Sequence, residues 1–250
     1  MNLLNTLALS LLLLVSPGFA FELGEPVPLK KSRLIIIMDD LGDNYRLGRR
    51  IINLPVPLNI AFLPNTPFAR KLANMANERG HDVMLHLPME ATTRHDLLGQ
   101  DALKSSHSYQ EAMTIFEENL ASVPHVRGFN NHMGSHLTKQ SEPMKWLMEE
   151  ARQRDLYFVD SRTVAGSVAF SIALHNGVPA IARDVFLDPV SAKKSTIRAQ
   201  LKKAMNIAQN KGVAVIIGHP YPETLEVLEQ ELPNVLRHFD VVKLSDFFGG

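Results

Sequence analysis

The sequence predicts an α/β fold: an irregular (β/α) barrel with seven or eight parallel strands. Apolar segments rich in branched residues alternate along the chain with amphipathic helical segments. The apolar segments are nearly continuous, which is typical of parallel strands buried on both faces. Seven or eight such units in 250 residues match the size of these barrels, roughly 250 residues. An open doubly wound sheet is the alternative, although no glycine-rich dinucleotide or P-loop motif follows a strand.

The elements follow in regular order. Strands are predicted at residues 33–38, 58–63, 82–87, 126–130, 156–160, 180–186, 213–217 and 241–244. Helices are predicted at residues 69–79, 109–121, 143–154, 164–174, 192–210 and 223–237, each with apolar residues three or four positions apart. Gly80, Gly177 and Gly212 stand where left-handed helix ends are expected, and Ser141 stands at a helix start.

The N-terminal segment differs from the rest of the chain. Residues 1–20 carry no charged side chain and end in Gly18-Phe19-Ala20 after a short apolar run. We expect a signal peptide cleaved after Ala20, a linker at residues 21–32 and a single barrel domain at residues 33–250. This predicts a periplasmic protein with no stable membrane span after cleavage. An uncleaved N-terminal anchor is the alternative, although the run is shorter than the roughly 20 residues that a span needs.

The composition excludes several classes of protein. Lys plus Arg and Asp plus Glu both number 26, so the basic excess expected of a nucleic-acid partner is missing. The chain has no cysteine, which excludes disulfides, iron–sulfur clusters and thiol nucleophiles. With 10 histidines, imidazole and carboxylate are the remaining candidate metal ligands.

Polar side chains are concentrated where the predicted strands end. They occur at residues 39–42, 86–90, 130–136, 160–162, 183–188 and 218–220. Active sites of (β/α) barrels lie at the carboxyl ends of the strands. The pattern therefore predicts one polar cleft at one end of the barrel.

Two pairs of residues are the first candidates in this cleft. Asp39 and Asp40 can serve one site only if the strand has already become a loop there, which Gly42 allows; the alternative is that one of them caps a turn. His132 and His136 are four residues apart and would converge on a helix face or in a tight loop. Two histidines and a carboxylate form an attested catalytic zinc set, although two surface histidines are the alternative.

Three further candidates follow other strands. His219 lies between Gly218 and Pro220 and is suited to proton transfer near neutral pH, the alternative being a packed histidine. His86 and Glu90 are open as alternative metal ligands or substrate contacts, although a lone glutamate at a strand end is more often structural.

Several charged residues are expected to support the site. Arg162 and Arg183 could hold carboxylates or sugar hydroxyls, but a salt bridge to Asp160, Asp184 or Asp188 is the preferred interpretation.

The polar connection at residues 91–108 is long for a compact domain. Loops of this length are usually functional or disordered, so we expect it to act as a lid or substrate loop over the barrel mouth.

The motifs resemble those of a known family. Together, IIIMDDLG, MLHLPME, NNHMGSH, VDSRT, RDVFLD and IIGHP resemble the divergent polysaccharide deacetylase family, within the NodB-homology (carbohydrate esterase family 4) superfamily. The resemblance extends over residues 33–248 and implies an irregular barrel and a divalent metal, usually zinc. It implies Asp39 as general base, His219 as general acid and Asp40, His132 and His136 as metal ligands.

Some positions depart from the superfamily pattern. Met38 precedes the aspartates where Phe is typical, Leu137 follows His136 where Pro is typical, and no Arg-x-Pro-Tyr occurs. By the resemblance, Asp184 or Asp188 would orient His219.

The expected function is that of an exported metal-dependent hydrolase that removes acyl (acetyl) groups from a cell-envelope polysaccharide or peptidoglycan. The alternative, which the missing Arg-x-Pro-Tyr favours, is a periplasmic glycan-binding or envelope-assembly protein with little or no turnover. A third hypothesis is a metal-free glycosidase that uses Asp39 and Glu90.

Overall fold

The computed structural model describes residues 31–94, 98–99, 101–189 and 192–249. The predicted signal peptide and most of the predicted linker lie outside these residues. The strands are β1 Ser32–Leu41, β2 Asn59–Phe62, β3 Asp82–Met89, β4 Val126–Met133, β5 Tyr157–Asp160, β6 Ala180–Ala182, β7 Val185–Phe186, β8 Val213–Gly218 and β9 Phe239–Val241. The helices are α1 Tyr45–Ile52, α2 Ala69–Glu78, α3 Tyr109–Ser122, α4 Ser141–Gln153, α5 Ala169–His175, α6 Lys194–Lys211, α7 Pro222–His238 and α8 Leu244–Phe248.

The strands form one parallel sheet in the order β6-β5-β4-β3-β2-β1-β8-β7, and β9 pairs with the start of β1. The two ends of this order, β6 and β7, are separated by Arg183 and Asp184 alone. The Arg183 N–H donates to Asp160 on β5, and the Asp184 N–H donates to Val215 on β8. The sheet therefore curls until its edges are joined by the chain itself, which confirms the predicted α/β barrel. The single strand predicted at residues 180–186 is two strands, because its partner changes at this seam.

Alternating side chains separate two apolar layers. On β1, Leu34 and Ile36 face outward and pack with the helices, whereas Ile35 and Ile37 face the barrel interior. The interior layer consists of Ile35, Ile37, Ala61, Met84, Tyr157, Val159, Val215, Ile217 and Leu244. Because this layer fills the barrel, ligands reach only its ends.

Helix α8 closes the amino end of the barrel. The Leu244 N–H donates to Asn59 Oδ1, and Ser245 donates to Asp82 from both its N–H and its hydroxyl. Tyr157 also donates to Asp82. The buried side chains of Asn59 and Asp82 therefore hold the C-terminal helix in place. Because Leu244 begins α8, the strand predicted at residues 241–244 ends earlier than predicted.

Besides α8, which was not predicted, two helices differ from the predictions. Helix α1 was not predicted; Asn44 caps it by accepting from the Leu47 N–H, and its buried residues are Gly48, Ile51 and Ile52. Helix α5 begins at Ala169 rather than at residue 164, because the preceding turn is bound to Asp160. None of the helices in the described ranges is long and apolar enough to cross a membrane.

Candidate metal centre and catalytic site

The inward alternation of the strands continues into the site at the carboxyl end of the barrel. Asp39 follows the interior residue Ile37 by two positions, and His219 follows Ile217 by two. His86 follows Met84 in the same way. Residues two positions apart on a strand share a face, so these polar groups lie on top of the interior apolar layer.

A bulge in β1 brings both aspartates to this end. Asp40 has a left-handed backbone (φ 56°), and the pairing of β1 with β2 shifts between Met38 and Leu41. The strand therefore continues to Leu41, which corrects the expectation that it becomes a loop at Asp39. A left-handed residue other than glycine costs about 1–3 kcal/mol, and such residues are concentrated at functional sites.

Three side-chain atoms from three strands converge at the bulge. Asp40 Oδ1 lies 3.1 Å from His86 Nε2 and 3.1 Å from His132 Nδ1, and the two nitrogens are 3.1 Å apart. Ligand atoms held tetrahedrally at about 2.0 Å from zinc are separated by about 3.3 Å. One carboxylate and two imidazoles with these spacings can bind a divalent metal and leave a fourth position open.

The electrostatics of Asp40 fit the same interpretation. Its Oδ1 is buried and accepts no well-directed hydrogen bond from any residue that the structure describes, although two ring nitrogens lie beside it. Burial opposes the charged form, but the His132 and His86 rings hold the pKa of Asp40 well below its usual range. An ionised oxygen that is buried without a directed donor is suited to a cation.

Asn130 connects two of the candidate residues. Its Nδ2 donates to Asp39 Oδ1 (2.8 Å), and its Oδ1 lies 2.7 Å from His86 Nδ1. Since an amide oxygen only accepts, His86 Nδ1 carries a proton, and Nε2 is the nitrogen that faces Asp40. Ligating histidines are oriented in this way by a second hydrogen bond. Asn130 was not among the predicted site residues, although its inward position, two residues before His132, is readable from the strand.

Asp39 itself is buried. Burial raises the pKa of its carboxyl group, against the lowering effect of His86 and His219 and of the Asn130 hydrogen bond. Burial likewise opposes the charged form of His86, but Asp39 and Asp40 raise its pKa.

His136 lies outside the cluster, contrary to its predicted role as a metal ligand. Strand β4 extends to Met133, so the spacing from His132 to His136 is not that of a helix. Met133 and Gly134 then have left-handed backbones (φ 53° and 84°) and turn the chain. The His136 N–H donates to the Glu90 carbonyl. The second imidazole comes instead from His86, the alternative that the sequence left open.

Glu90 fixes the start of the long connection. Its Oε2 accepts from the N–H and the hydroxyl of Ser105, both at 2.7 Å, and its own N–H donates to Leu103. It is not a member of the Asp40, His86 and His132 cluster. This favours the structural role of Glu90.

His219 is held by Asp188. Its Nδ1 lies 2.8 Å from Asp188 Oδ1, and its backbone N–H donates to Oδ2 (2.7 Å), which also accepts from the Thr224 hydroxyl. Burial opposes the imidazolium, but the Asp188 hydrogen bond and the charges of Asp188, Asp39 and Asp40 raise the pKa of His219 to about 9. His219 is therefore protonated at neutral pH.

The other predicted carboxylates have structural partners. Asp184 Oδ2 accepts from the Val215 N–H, and its Oδ1 pairs with Lys211, so it stabilises the seam. Asp160 accepts from the backbone of Arg162 and from Ser167, and thereby shapes the turn after β5. Of the two aspartates expected to orient His219, the structure assigns Asp188.

Arg183 is bound to the backbone rather than to a carboxylate. Its Nε donates to the Ser161 carbonyl (2.7 Å) and its Nη2 to the Arg162 carbonyl (2.8 Å). Its Cζ lies 3.7 Å from the centre of the Phe186 ring. Arg162 itself has a left-handed backbone (φ 48°) and an exposed side chain. Within the described ranges, neither arginine forms a salt bridge, so the interpretation preferred from the sequence is wrong.

A small cavity opens beside His132. Its volume is about 150 Å³, and its walls are Leu63, Pro64, Thr66, Pro88, Leu98, Gly99, Asp101 and His132. Leu98, Gly99 and Asp101 belong to the connection predicted as a lid, of which residues 95–97 and 100 lie outside the described residues. The described part of this connection therefore lines a cavity with both apolar and polar walls next to a candidate metal ligand.

Fold and site together define a (β/α) barrel with a candidate metal centre at the carboxyl ends of its strands. The model of the divergent polysaccharide deacetylase family matches residues 36–248, and the chain belongs to that family. This confirms the resemblance inferred from the motifs. The chain is 34% identical over 228 residues to the uncharacterized protein YibQ of Escherichia coli, covering 91% of this chain and 71% of YibQ.

Solved structures support the fold. An uncharacterized protein from Agrobacterium tumefaciens superposes with a TM-score of 0.82 at 20% identity, covering 88% of this chain and 91% of that one. The catalytic domain of a peptidoglycan N-acetylglucosamine deacetylase from Eubacterium rectale gives 0.54 at 15% identity, with 88% and 92% covered. A carbohydrate esterase family 4 pseudoenzyme from Bacillus anthracis gives 0.57 at 14% identity, with 89% and 66% covered.

Proposed function

We propose that this protein is an exported, metal-dependent hydrolase that removes acyl groups, foremost acetyl, from a cell-envelope polysaccharide or peptidoglycan. The observation that carries the proposal is the cluster of Asp40, His86 and His132, with mutual distances of 3.1 Å, in the same barrel mouth as Asp39 and His219. Membership in the divergent polysaccharide deacetylase family supports the reaction class.

Asp40, His86 Nε2 and His132 Nδ1 would hold the metal. A divalent ion such as zinc, when bound, supplies Lewis-acid polarisation of the acyl carbonyl and activates water. Asp39 is the neighbouring residue of the chain and accepts the proton of the attacking water. Burial raises the pKa of Asp39 toward the working pH, which improves a carboxylate as a general base. The amide of Asn130 keeps this carboxylate in place.

His219 completes the proton transfers. Since Nδ1 is bound to Asp188, Nε2 is the nitrogen available to the substrate. With a pKa of about 9, the imidazolium holds its proton at neutral pH and can donate it to the leaving nitrogen or oxygen. Asp188 stabilises the charged ring before the transfer and fixes its orientation.

The cavity beside His132 is suited to the acyl group. It is small, about 150 Å³, and Leu63, Pro64, Pro88 and Leu98 contribute apolar walls. An acetyl methyl can enter a space of this kind, whereas a sugar unit needs the open mouth.

Metal content is the first test. The purified, untagged protein is reconstituted with zinc, and bound metal is measured by mass spectrometry beside a His86→Ala, His132→Ala double variant. His136→Ala is the matched control. We expect one zinc per chain in the parent and in the His136 variant, and none in the double variant. Loss of metal from the His136 variant, or a parent that binds no metal, would contradict the proposed centre.

Turnover separates the enzyme from its main alternative, a glycan-binding protein with the same barrel. The missing Arg-x-Pro-Tyr motif favours that alternative. Acetate release from acetylated peptidoglycan and polysaccharides is measured for the zinc-loaded parent and for Asp39→Asn. An enzyme loses release in the variant while it keeps its metal. A protein that binds glycans equally well in both forms, without releasing acetate, is a binder.

The third hypothesis, a metal-free glycosidase, requires Glu90 as a partner of Asp39. Ser105 occupies Oε2 of Glu90 with two hydrogen bonds, which disfavours this role. Cleavage of glycosidic bonds in the presence of a metal chelator would support the glycosidase hypothesis.

Export is proposed from residues 1–20 alone. Cell fractionation with N-terminal sequencing tests it: a periplasmic chain beginning at Phe21 is expected. A full-length chain in the membrane fraction would instead support the uncleaved anchor.

A further inference from the structure

Arg183 holds a positive charge at the barrel mouth, and no carboxylate of the described residues forms a salt bridge with it. Its guanidinium is half-buried and is fixed by the carbonyls of Ser161 and Arg162. These bonds use Nε and one hydrogen of Nη2. Among the residues that the structure describes, Nη1 has no hydrogen-bond partner. The end of the guanidinium fork is therefore free to bind a ligand.

The second arginine adds to this charge. Arg183 Nη2 donates to the Arg162 carbonyl, so the two arginines are neighbours. Burial and the positive charge of Arg162 both lower the pKa of Arg183. A buried charge is normally compensated by an opposite one. Asp160, Asp184 and Asp39 lie near enough to act on Arg183, yet each carboxylate accepts hydrogen bonds from other groups.

The location of Arg183 relates it to the reaction. Its guanidinium stacks on Phe186, and the Phe186 ring stacks on His219 with centroids 6.0 Å apart. The Tyr221 ring also lies beside His219, with ring centroids 5.7 Å apart. The cavity beside His132 is lined by residues of β3 and β4 and by the segments after β2 and β3. Arg183 instead follows β6, Phe186 lies on β7, and His219 follows β8. Arg183 is therefore on the side of the mouth where His219 receives the leaving group.

We propose that Arg183, assisted by Arg162, binds an anionic group carried by the sugar part of the substrate. This inference rests on the proposed deacylase function, because that function makes the His219 side the sugar side. The group is a carboxylate or a phosphate, since both match the planar fork of a guanidinium. The substrate class is thus an acylated saccharide with an acidic substituent near the scissile acyl group, and neutral acetylated glycans are poorer ligands.

Binding of small probes tests the inference. The zinc-loaded protein is titrated with N-acetylmuramic acid, N-acetylglucosamine 6-phosphate and neutral N-acetylglucosamine, and dissociation constants are measured by NMR. The same series is run on Arg183→Gln and on Arg46→Gln, an exposed arginine on α1. Because zinc attracts anions in every variant, only the change caused by the arginine substitution is diagnostic.

We expect at least one acidic probe to bind about tenfold more tightly than the neutral sugar, and Arg183→Gln to abolish this preference. The Arg46 variant should keep it. Preference for N-acetylmuramic acid alone indicates a carboxylate ligand, and preference for the phosphate alone indicates a phosphorylated sugar. Equal binding of all three probes to the parent, or an unchanged preference in Arg183→Gln, would overturn the inference.

Two additions keep the test decisive. Arg162→Gln changes an exposed side chain and should reduce the preference several-fold even if Arg183→Gln fails to fold. The binding measurement also needs no turnover. If the protein prefers acidic probes but releases no acetate, the deacylase proposal is refuted and the anion site is supported. If it releases acetate but does not prefer acidic probes, the anion site is refuted and the deacylase proposal is supported.

Discussion

The side-chain amide of Asn130 donates to Asp39, and its oxygen accepts from His86, so that one residue fixes both the candidate base and a candidate metal ligand. The protonation of His86 on Nδ1 follows from this arrangement. Asn130 and His86 are direct partners in the pairing of β3 with β4. The register of two strands therefore determines which nitrogen of His86 faces the metal centre.

We expect Asn130→Ala to weaken zinc binding by about 10–100-fold, because His86 loses the hydrogen bond that orients its ring. Competition with a chelator measures the affinity. Nitrogen NMR of the metal-free protein, recorded at a pH where the imidazole is neutral, should show His86 shifting from a single tautomer to a mixture. Asn176→Ala, at the end of α5, is the control and should leave both quantities unchanged. Unaltered zinc affinity in Asn130→Ala would show that the hydrogen bond is dispensable.

Asp188→Asn should lower the pKa of His219 from about 9. A histidine whose pKa is raised in the folded state stabilises the fold below its unfolded pKa of about 6.5, and this contribution disappears as the pH rises through 9. The variant should therefore lose about 1–3 kcal/mol of unfolding free energy at pH 6 and less at pH 10. Urea denaturation at both pH values and NMR titration of His219 provide the measurements. Asp184→Asn, whose carboxylate has other partners, should leave the His219 pKa in place.

His81 should make the fold sensitive to acid. Its Nδ1 accepts from the Leu58 N–H, and its Nε2 donates to the Ile52 carbonyl, so the buried ring is neutral. Burial lowers its pKa. In the unfolded chain the His81 imidazole binds a proton near pH 6.5, whereas in the folded chain it stays neutral at this pH. The free energy of unfolding therefore falls as the pH decreases below that value. In His81→Gln, the unfolding free energy should change less between pH 7.5 and 5.5 than in the parent. His125→Gln, an exposed histidine, should retain the parent's slope; equal slopes in all three proteins would refute this account.

The cavity beside His132 should set the length of the acyl group. Leu98→Ala removes one of its apolar walls, so the ratio of butyryl to acetyl release should rise about tenfold, the discrimination expected of one or two methylene groups. Rates with acetylated and butyrylated glycans measure this ratio. Leu174→Ala, an exposed leucine on α5, should not change it. A constant ratio in Leu98→Ala would place the acyl group elsewhere.

The sequence predicted the strand ends from which the site is built, because continuous apolar segments identify buried parallel strands and the polar residues follow them directly. Asp39 and His219 could be found in this way. The sequence could not decide between His86 and His136 as the second metal ligand. That choice depends on the register of β3 with β4, which aligns His132 with Pro88. The bulge at Asp40 could not be predicted from the sequence either, because the sequence does not show which aspartate adopts a left-handed backbone. Hydrogen bonds over long separations, such as Asn130 to Asp39, arise only in the folded chain.

The central position of β1 has a consequence for biosynthesis. β1 is made first, yet two of its three partners, β8 and β9, are made last. A nascent chain that ends before β8 leaves one edge of β1 unpaired, and Leu244 is not yet present to close the barrel. Pairing between such distant segments delays folding. The complete barrel can therefore form only after nearly all of the polypeptide has been synthesised.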